Sequence, residues 1–323
     1  MGRIIITGGS GFIGTNAVEY FYSKGYKVLN IDIKKPQNKL HNQFLVDCDI
    51  RNREKYIDSC KKFDPDYFLH LAARTDLKEN NNLSGYDSNI LGVENTIDVI
   101  NKCENIKRVI FASSRMVCKI GYTPRNSDDY CPPNLYGESK VKGEILIKTS
   151  KINPEWIIVR PTSIWGPWFD SPYKTFFTII QKRFYFHPGK YNPPKSFGFV
   201  GNSVYQLSKL LNYNSTSIGG KVIYLCDYPP LYLKEWVRLI QEEMNISFIP
   251  SFPYPLIQIA AKIGDVFKYL GYYRTPLSSF KISNLITDMT YNTGLLEEIC
   301  GVLPFTLHDG VKVTVEWLNN SRI

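Results

Sequence analysis

Tyr136 and Lys140 stand four residues apart at the start of a predicted helix, on one face of it, and pair a proton-exchanging hydroxyl with a positive charge. A free tyrosine titrates near ~10, so acid–base work near neutrality needs about 4 kcal/mol in favour of the phenolate. One cation at ~4 Å contributes about 4 kcal/mol at an effective dielectric of ~20, so Lys140 together with a further positive charge can suffice. Spacing alone is weak, since composition gives about 2.7 chance Tyr-x-x-x-Lys/Arg matches. The chain holds four with lysine: Tyr20/Lys24, Tyr136/Lys140, Tyr191/Lys195 and Tyr205/Lys209. Only the second follows a Ser-Ser pair, Ser113-Ser114, at the end of an apolar strand pattern.

A second group of residues supplies a place for a phosphate. The segment TGGSGFIG, residues 7–14, follows the apolar run Arg3-Ile4-Ile5-Ile6 and precedes a helical pattern. Gly8 permits a tight turn, Gly11 lets backbone approach a pyrophosphate and Gly14 lets helix and strand pack closely. The first helix residues, Phe12 and Ile13, then aim free N–H groups at the anion. Asp32 ends the next apolar run, 18 residues after Gly14, where its carboxylate would accept hydrogen bonds from an adenosine ribose. Repulsion of a 2′-phosphate by Asp32 favours NAD, while Lys34 and Lys35 leave NADP open. An oxidised nicotinamide ring would add to the charge of Lys140 acting on Tyr136.

The glycine spacing is Gly-x-x-Gly-x-x-Gly, and with it the chain resembles an extended short-chain dehydrogenase/reductase of the NAD-dependent epimerase/dehydratase family, similar to UDP-galactose 4-epimerase. Further segments follow in the family's order: Asp49-Ile50-Arg51, His70-Leu71-Ala72-Ala73, Asn89, Ser113-Ser114, Tyr136-Gly137-Glu138-Ser139-Lys140 with Pro133 and Glu144 around it, and Arg160 through Pro167. They are dense to about residue 200 and loose from there to Val315-Glu316-Trp317-Leu318. The resemblance implies that Ser114 holds the reacting oxygen, that Tyr136 exchanges its proton, and that Lys140 tunes Tyr136 and positions the ribose. It also implies cofactor contacts from Gly8, Gly11, Phe12, Ile13, Asp32, Asp49, Ile50, Leu71, Ala72, Ala73, Pro161 and Ser163.

Departures from the pattern narrow the chemistry. Arg115-Met116 stands where sugar 4,6-dehydratases of the family carry an acidic pair, so removal of a C6 hydroxyl is unsupported. Met116 also replaces the cysteine of GDP-fucose synthase-like enzymes, which leaves 3,5-epimerisation without its cysteine. Cys118-Lys119 replaces Tyr-Gly of a Val-Tyr-Gly segment, and Cys118 reads as a small buried residue. Gly201-Asn202 replaces the usual acidic turn, and His70 reads as packing at a strand end. Substrate contacts are expected from Thr75, flanked by Arg74 and Asp76, from Ser114, and from Trp165 in Ser163-Ile164-Trp165. Lys195 matches by position a diphosphate-binding residue of the epimerases, and Arg183, His187 and Arg274 are further anion candidates.

Positioning these residues takes an α/β fold, a doubly wound parallel sheet of Rossmann type with a smaller, mainly helical C-terminal substrate domain. Residues 1–165 form the dinucleotide-binding domain, rejoined by about 196–227, and 166–195 with 228–323 form the substrate domain. Pro167, Pro172, Pro188, Pro193 and Pro194 mark the irregular start of the second part. The chain is expected to return to the sheet over Lys195–Val200, form a helix from about Asn202, and add a strand at Val222–Cys226. Pro255–Leu270 is an amphipathic helix whose Gln258, Lys262, Asp265 and Lys268 share one face, read as core or interface packing. A homodimer is expected through the helices of Asn89 and Tyr136, with Ile90, Ile97 and Ile100 as an apolar stripe.

Composition agrees with a cytoplasmic enzyme. Of 323 residues 43% are apolar, with no ~20-residue uncharged run for an integral membrane segment. The first strand begins within three residues, leaving no room for a targeting segment. Seven scattered cysteines without Cys-x-x-Cys spacing indicate neither disulfides nor a metal site. The net charge of +9 comes from dispersed lysines without a compact basic run, so no nucleic-acid partner is expected. The expected function is NAD-dependent epimerisation of a nucleotide sugar at C4 through a ketone. A nucleotide-sugar 4-keto reductase or dehydrogenase, an alcohol dehydrogenase acting on a non-sugar such as a steroid-like alcohol, and a non-catalytic cofactor-sensing protein are the alternatives.

Overall fold

The run Ile4-Ile5-Ile6 is wholly buried because a central strand of a sheet covered on both faces must be apolar at every position. The computed structural model describes residues 2–77, 79, 81–214, 216–269 and 278–320. Its first half alternates strand and helix: β1 (Arg3–Thr7), α1 (Phe12–Ser23), β2 (Lys27–Asp32), β3 (Leu45–Asp47), α2 (Arg53–Phe63), β4 (Tyr67–His70), α3 (Asp87–Asn101), β5 (Arg108–Ala112), α4 (Leu135–Thr149) and β6 (Glu155–Pro161). Shorter elements follow: β7 (Ser163–Trp165), α5 (Tyr173–Gln181), β8 (His187–Pro188), β9 (Pro194–Lys195), β10 (Phe197–Phe199), α6 (Val200–Asn212), β11 (Val222–Leu225), β12 (Leu231–Tyr232) and α7 (Leu233–Glu243). The chain ends with β13 (Ser251–Phe252), α8 (Tyr254–Tyr269), α9 (Ser279–Ile286), α10 (Gly294–Cys300) and α11 (Leu307–Asn320).

Seven strands form one parallel sheet in the order β3-β2-β1-β4-β5-β6-β11. Strand alternation divides the core in two. Ile4, Ile6, Leu69 and Ile110 pack with Val18 and Phe21 of α1 and Val204 and Leu207 of α6, while Ile5, Phe68, Val109 and Phe111 pack with Tyr56 of α2 and Ile97 and Ile100 of α3. The first of these clusters continues into an aromatic group of the second lobe, where Trp165 and Phe177 pack on Trp236 of α7, Phe199 packs on Trp165, and Phe176 stacks on Trp236 at 5.0 Å.

Two expectations are corrected. Residues 195–200 do not rejoin the main sheet: β10 pairs with β7 and β9 with β12, because the free edge of β6 is already taken by β11. Ile97 and Ile100 belong to the sheet-side core and are not available to a dimer, whereas Leu91 and Ile145 are the exposed large apolar residues of α3 and α4. The helix expected over Pro255–Leu270 forms as α8, and Leu270 itself lies outside the described residues. Ile257 and Ala261 are buried against Ile282 of α9, but Leu256, Ile259, Ile263 and Val266 form a second apolar face, open to solvent.

The tightest packing lies in the first turn, where a Cβ on Gly14 would collide with the Gly8 carbonyl oxygen and with the Gly9 Cα. Gly14→Ala is therefore expected to lower stability by about 1–3 kcal/mol through overpacking and to weaken NAD binding, read by thermal unfolding and cofactor titration. Wild-type-like unfolding and affinity would show that the turn yields.

Candidate active site

Strand order reverses between β1 and β4, and a cleft of about 720 Å³ opens beyond their C-terminal ends. Its floor is built by the absence of side chains. Gly8 has φ +72°, and a Cβ there would stand 2.7 Å from the Ala72 amide nitrogen. Gly11 is the N-cap of α1 and offers no side-chain acceptor, so the N–H groups of the first turn stay open to an anion. Phe12, Ile13, Leu71, Ala72, Ala73, Thr75 and Pro161 line the same cleft. Asp32 stands at its rim, with one carboxylate oxygen accepting from the Ser10 N–H (3.0 Å) and the other from that of Lys34 (2.9 Å). Ile50 and Asp49 complete this side, but the Arg51 guanidinium beside Asp49 engages its carboxylate and holds it below the usual range. This glycine cradle with a carboxylate at its rim fits a dinucleotide.

The catalytic candidates converge because α4 starts against the turn that leaves β5. Asn134 caps α4 by accepting from the Gly137 N–H at 2.9 Å, and a Cβ on Gly137 would collide with the Met116 carbonyl. Ser114 caps the short turn Arg115–Val117, its Oγ accepting from the Met116 N–H at 3.1 Å. Ser114, Tyr136 and Lys140 thereby line one wall of the cleft. Burial pushes the Tyr136 hydroxyl above its ordinary value, against a hydrogen bond with Ser114 and the charge of Arg115. Lys140 is buried as well. Its ammonium donates to the Ala112 carbonyl at 2.9 Å, and burial lowers it to about 8.

Two buried networks hold this wall. Asn89 of α3 accepts from the Arg74 N–H (2.7 Å) and donates to the Arg74 carbonyl (3.0 Å) and the Ser139 hydroxyl (2.9 Å), joining the exit of β4 to α4. Glu144 of α4 accepts from Ser113 at the end of β5 and pairs with Arg160 of β6 at 2.7 Å, both side chains about 1% exposed. His70 sits between Thr7 and Thr96, and burial lowers it to about 3. Cys118 is buried, donates to the Asp129 carbonyl, and is raised by burial, as befits an unreactive thiol.

Other expected contacts lie elsewhere. Trp165 is fully buried in the aromatic centre of the second lobe, too large and apolar to leave it for a ligand. Ser163 is buried and acts on the hydroxyl of Tyr173. Lys195 is not available to a diphosphate, being 2% exposed with its ammonium donated to the carbonyls of Asn284 (2.8 Å) and Thr287. Arg183 is exposed after α5, and His187 lies half-buried on β8 beside β13, neither of them lining the cleft. Arg274 lies outside the described residues. Sequence reasoning missed Tyr173 and its neighbours Ser171 and Pro172, which line the cleft from the Pro-rich segment that had been read only as irregular.

The sequence profile of the family described as "NAD dependent epimerase/dehydratase family" matches residues 4–186. A putative UDP-glucose 4-epimerase of Methanocaldococcus jannaschii is 29% identical over 174 residues, covering 50% of this chain and 56% of that protein. The chain thus spans about half the length of the first curated relatives it matches. A sterol-4-alpha-carboxylate 3-dehydrogenase of Candida albicans is 22% identical across 98% of this chain and 97% of its own. In fold, the chain is similar to a UDP-glucose 4-epimerase of Thermotoga maritima solved with UDP-glucose, at 17% identity and TM-score 0.75, covering 99% and 100% of the two chains.

Because burial lowers Lys140 from 10.5 to about 8, the unfolded chain binds more protons between those values, and the buried ammonium costs stability below about pH 8. Lys140→Met is expected to abolish turnover yet raise stability at pH 7 by ~1–3 kcal/mol. The gain over wild type shrinks as pH rises above 8 in denaturant titrations. A destabilised variant at pH 7 would show that the hydrogen bond to Ala112 outweighs desolvation.

Proposed function

Since the chain belongs to the NAD-dependent epimerase/dehydratase family, we propose that it inverts C4 of a nucleotide-linked sugar through a ketone, with NAD as cofactor. The observation that carries the reading is one cleft lined both by Ser114, Tyr136 and Lys140 and by the glycine cradle, with Arg115 and Met116 in the sequence where a dehydration would need acids. NAD, when bound, supplies a reversible hydride acceptor. Ser114 orients the C4 oxygen, and Tyr136 takes and returns its proton. Lys140, fixed by the Ala112 carbonyl, presents a charge to the ribose and to the developing phenolate.

A reductase or dehydrogenase would use the same three residues and release its product once oxidised or reduced. The near full-length similarity to a sterol dehydrogenase favours that second reading, including a non-sugar alcohol as substrate. We further place the enzyme in the cytosol, where its free cysteines stay reduced, and assign it a homodimer through the outward faces of α3 and α4. Leu91 and Ile145, 40% and 46% exposed, provide apolar surface there.

Two measurements test these assignments. Tyr136→Phe is expected to keep its cofactor and lose ~100- to 10,000-fold in turnover, while deuterium placed at sugar C4 in the wild-type reaction is retained at C4 of the inverted product. Stoichiometric consumption of added NADH, with label arriving from it, would replace the epimerase by the reductase. For assembly, light scattering at micromolar concentration is expected to give twice the chain mass, and Leu91→Lys to give the monomer; a monomeric wild type would refute the interface.

A further inference from the structure

Helix α8 carries more apolar surface than the fold covers. Ile257 and Ala261 close a small cluster with Ile282 of α9, against which Phe186 and Tyr254 pack. Leu256, Ile259, Ile263 and Val266 stand on an adjoining strip, at the i, i+3, i+7 and i+10 spacing of one helix face, and are 53% to 59% exposed. Phe184, Phe248 and Phe280 in neighbouring segments are also exposed. A folded chain rarely leaves a large contiguous apolar patch to water, and such a patch marks a partner.

Charge selects that partner. Strand β8 pairs with β13, Phe186 meets Phe252 at 5.4 Å and Tyr191 meets Tyr254 at 4.7 Å, so residues 182–192 lie against the start of α8. Residues 182–192 and 244–287 together hold seven Lys and Arg and one acid, Asp265, which is +6 of the chain's net +9. Dispersed along the sequence, these cations collect in one part of the second lobe, where Lys182, Arg183, Lys190, Lys262 and Lys281 are exposed. Asp265 is turned to the protein, its two carboxylate oxygens accepting from the Ser279 N–H at the start of α9 (3.2 and 3.3 Å). A second copy meeting this surface through a two-fold axis would set cations against cations.

We propose that α8 and the basic segment beside it dock the protein on an anionic lipid bilayer. An aliphatic helix strip bordered by cations lies in a headgroup layer with acyl chains against the strip and lipid phosphates against the cations. No helix of the described residues is long and apolar enough to cross a membrane, so the contact is one of lying on the surface. The inference does not depend on which substrate the cleft takes.

The test is flotation of the full chain with vesicles of phosphatidylcholine alone and of phosphatidylcholine mixed with phosphatidylglycerol. Binding to the mixed vesicles is expected to exceed binding to the neutral ones by ~10-fold or more and to weaken as salt is raised. Ile259→Asp combined with Ile263→Asp, both at exposed positions, is expected to lower binding to the mixed vesicles by ~10-fold or more. Lys190→Gln is expected to lower it about fivefold, the worth of one cation near an anionic surface. An unchanged unfolding temperature checks that each variant folds. Absence of binding to either vesicle, equal binding to both, or binding that survives the double aspartate variant overturns the inference. Light scattering in which that variant has half the mass of the wild type also overturns it, since α8 would then join two copies of the chain.

Discussion

The backbone of Gly8 lies so near Ala72 that a Cβ would come within 2.7 Å of its amide nitrogen, and Gly14 lies so near Gly8 that no Cβ fits at all. This contact draws the end of β1, the exit of β4 and the start of α1 together at the point where the strand order reverses. Everything in the cleft is referred to that point. The open N–H groups of α1 face it, Asp32 is fixed at its rim by two backbone N–H groups, and Asn89 carries the position of the β4 exit across to α4.

On the other wall, placement depends on charge taken out of water. Glu144 and Arg160 are both about 1% exposed, and such a pair gains little net stability because the Coulomb attraction has to offset two desolvated ions. Its geometry is nevertheless over-determined: Glu144 also accepts from Ser113 and Tyr130, and Arg160 also donates to the Ser127 carbonyl. The consequence is positional. Helix α4 is tied to β5 and β6 one turn beyond Lys140, so Tyr136 and Lys140 cannot move independently of Ser114.

Burial holds Tyr136 protonated and Lys140 near 8, and the forces opposing this on Tyr136 are the Ser114 hydroxyl and Arg115. Lys195, lowered to about 8 by burial, is a structural tie for the segment after α9.

Much of this was legible in the residues alone, for reasons that are local. A glycine turn between an apolar strand and a helix, a carboxylate at the end of the next strand, and a tyrosine and lysine on one helix face are properties of spacing, and all of them line the cleft in the fold. Local pattern could not show which cations remain free. Lys195 and Trp165 looked like substrate contacts, and Ser163 like a cofactor contact, because they stand in the right place along the chain, but burial and contacts with other segments had already committed them. The same holds for Ile97 and Ile100, whose stripe fits a sheet or a partner equally well until the sheet is seen to cover it. Residues 195–200 read as a strand but found the edge of β6 occupied by β11, a competition settled only in three dimensions. Sequence spacing therefore determined the glycine cradle and the Tyr136/Lys140 pair, whose parts are close along the chain, and tertiary packing decided the other side of the cleft, whose parts meet only when the Pro-rich segment after β7 packs beside the sheet.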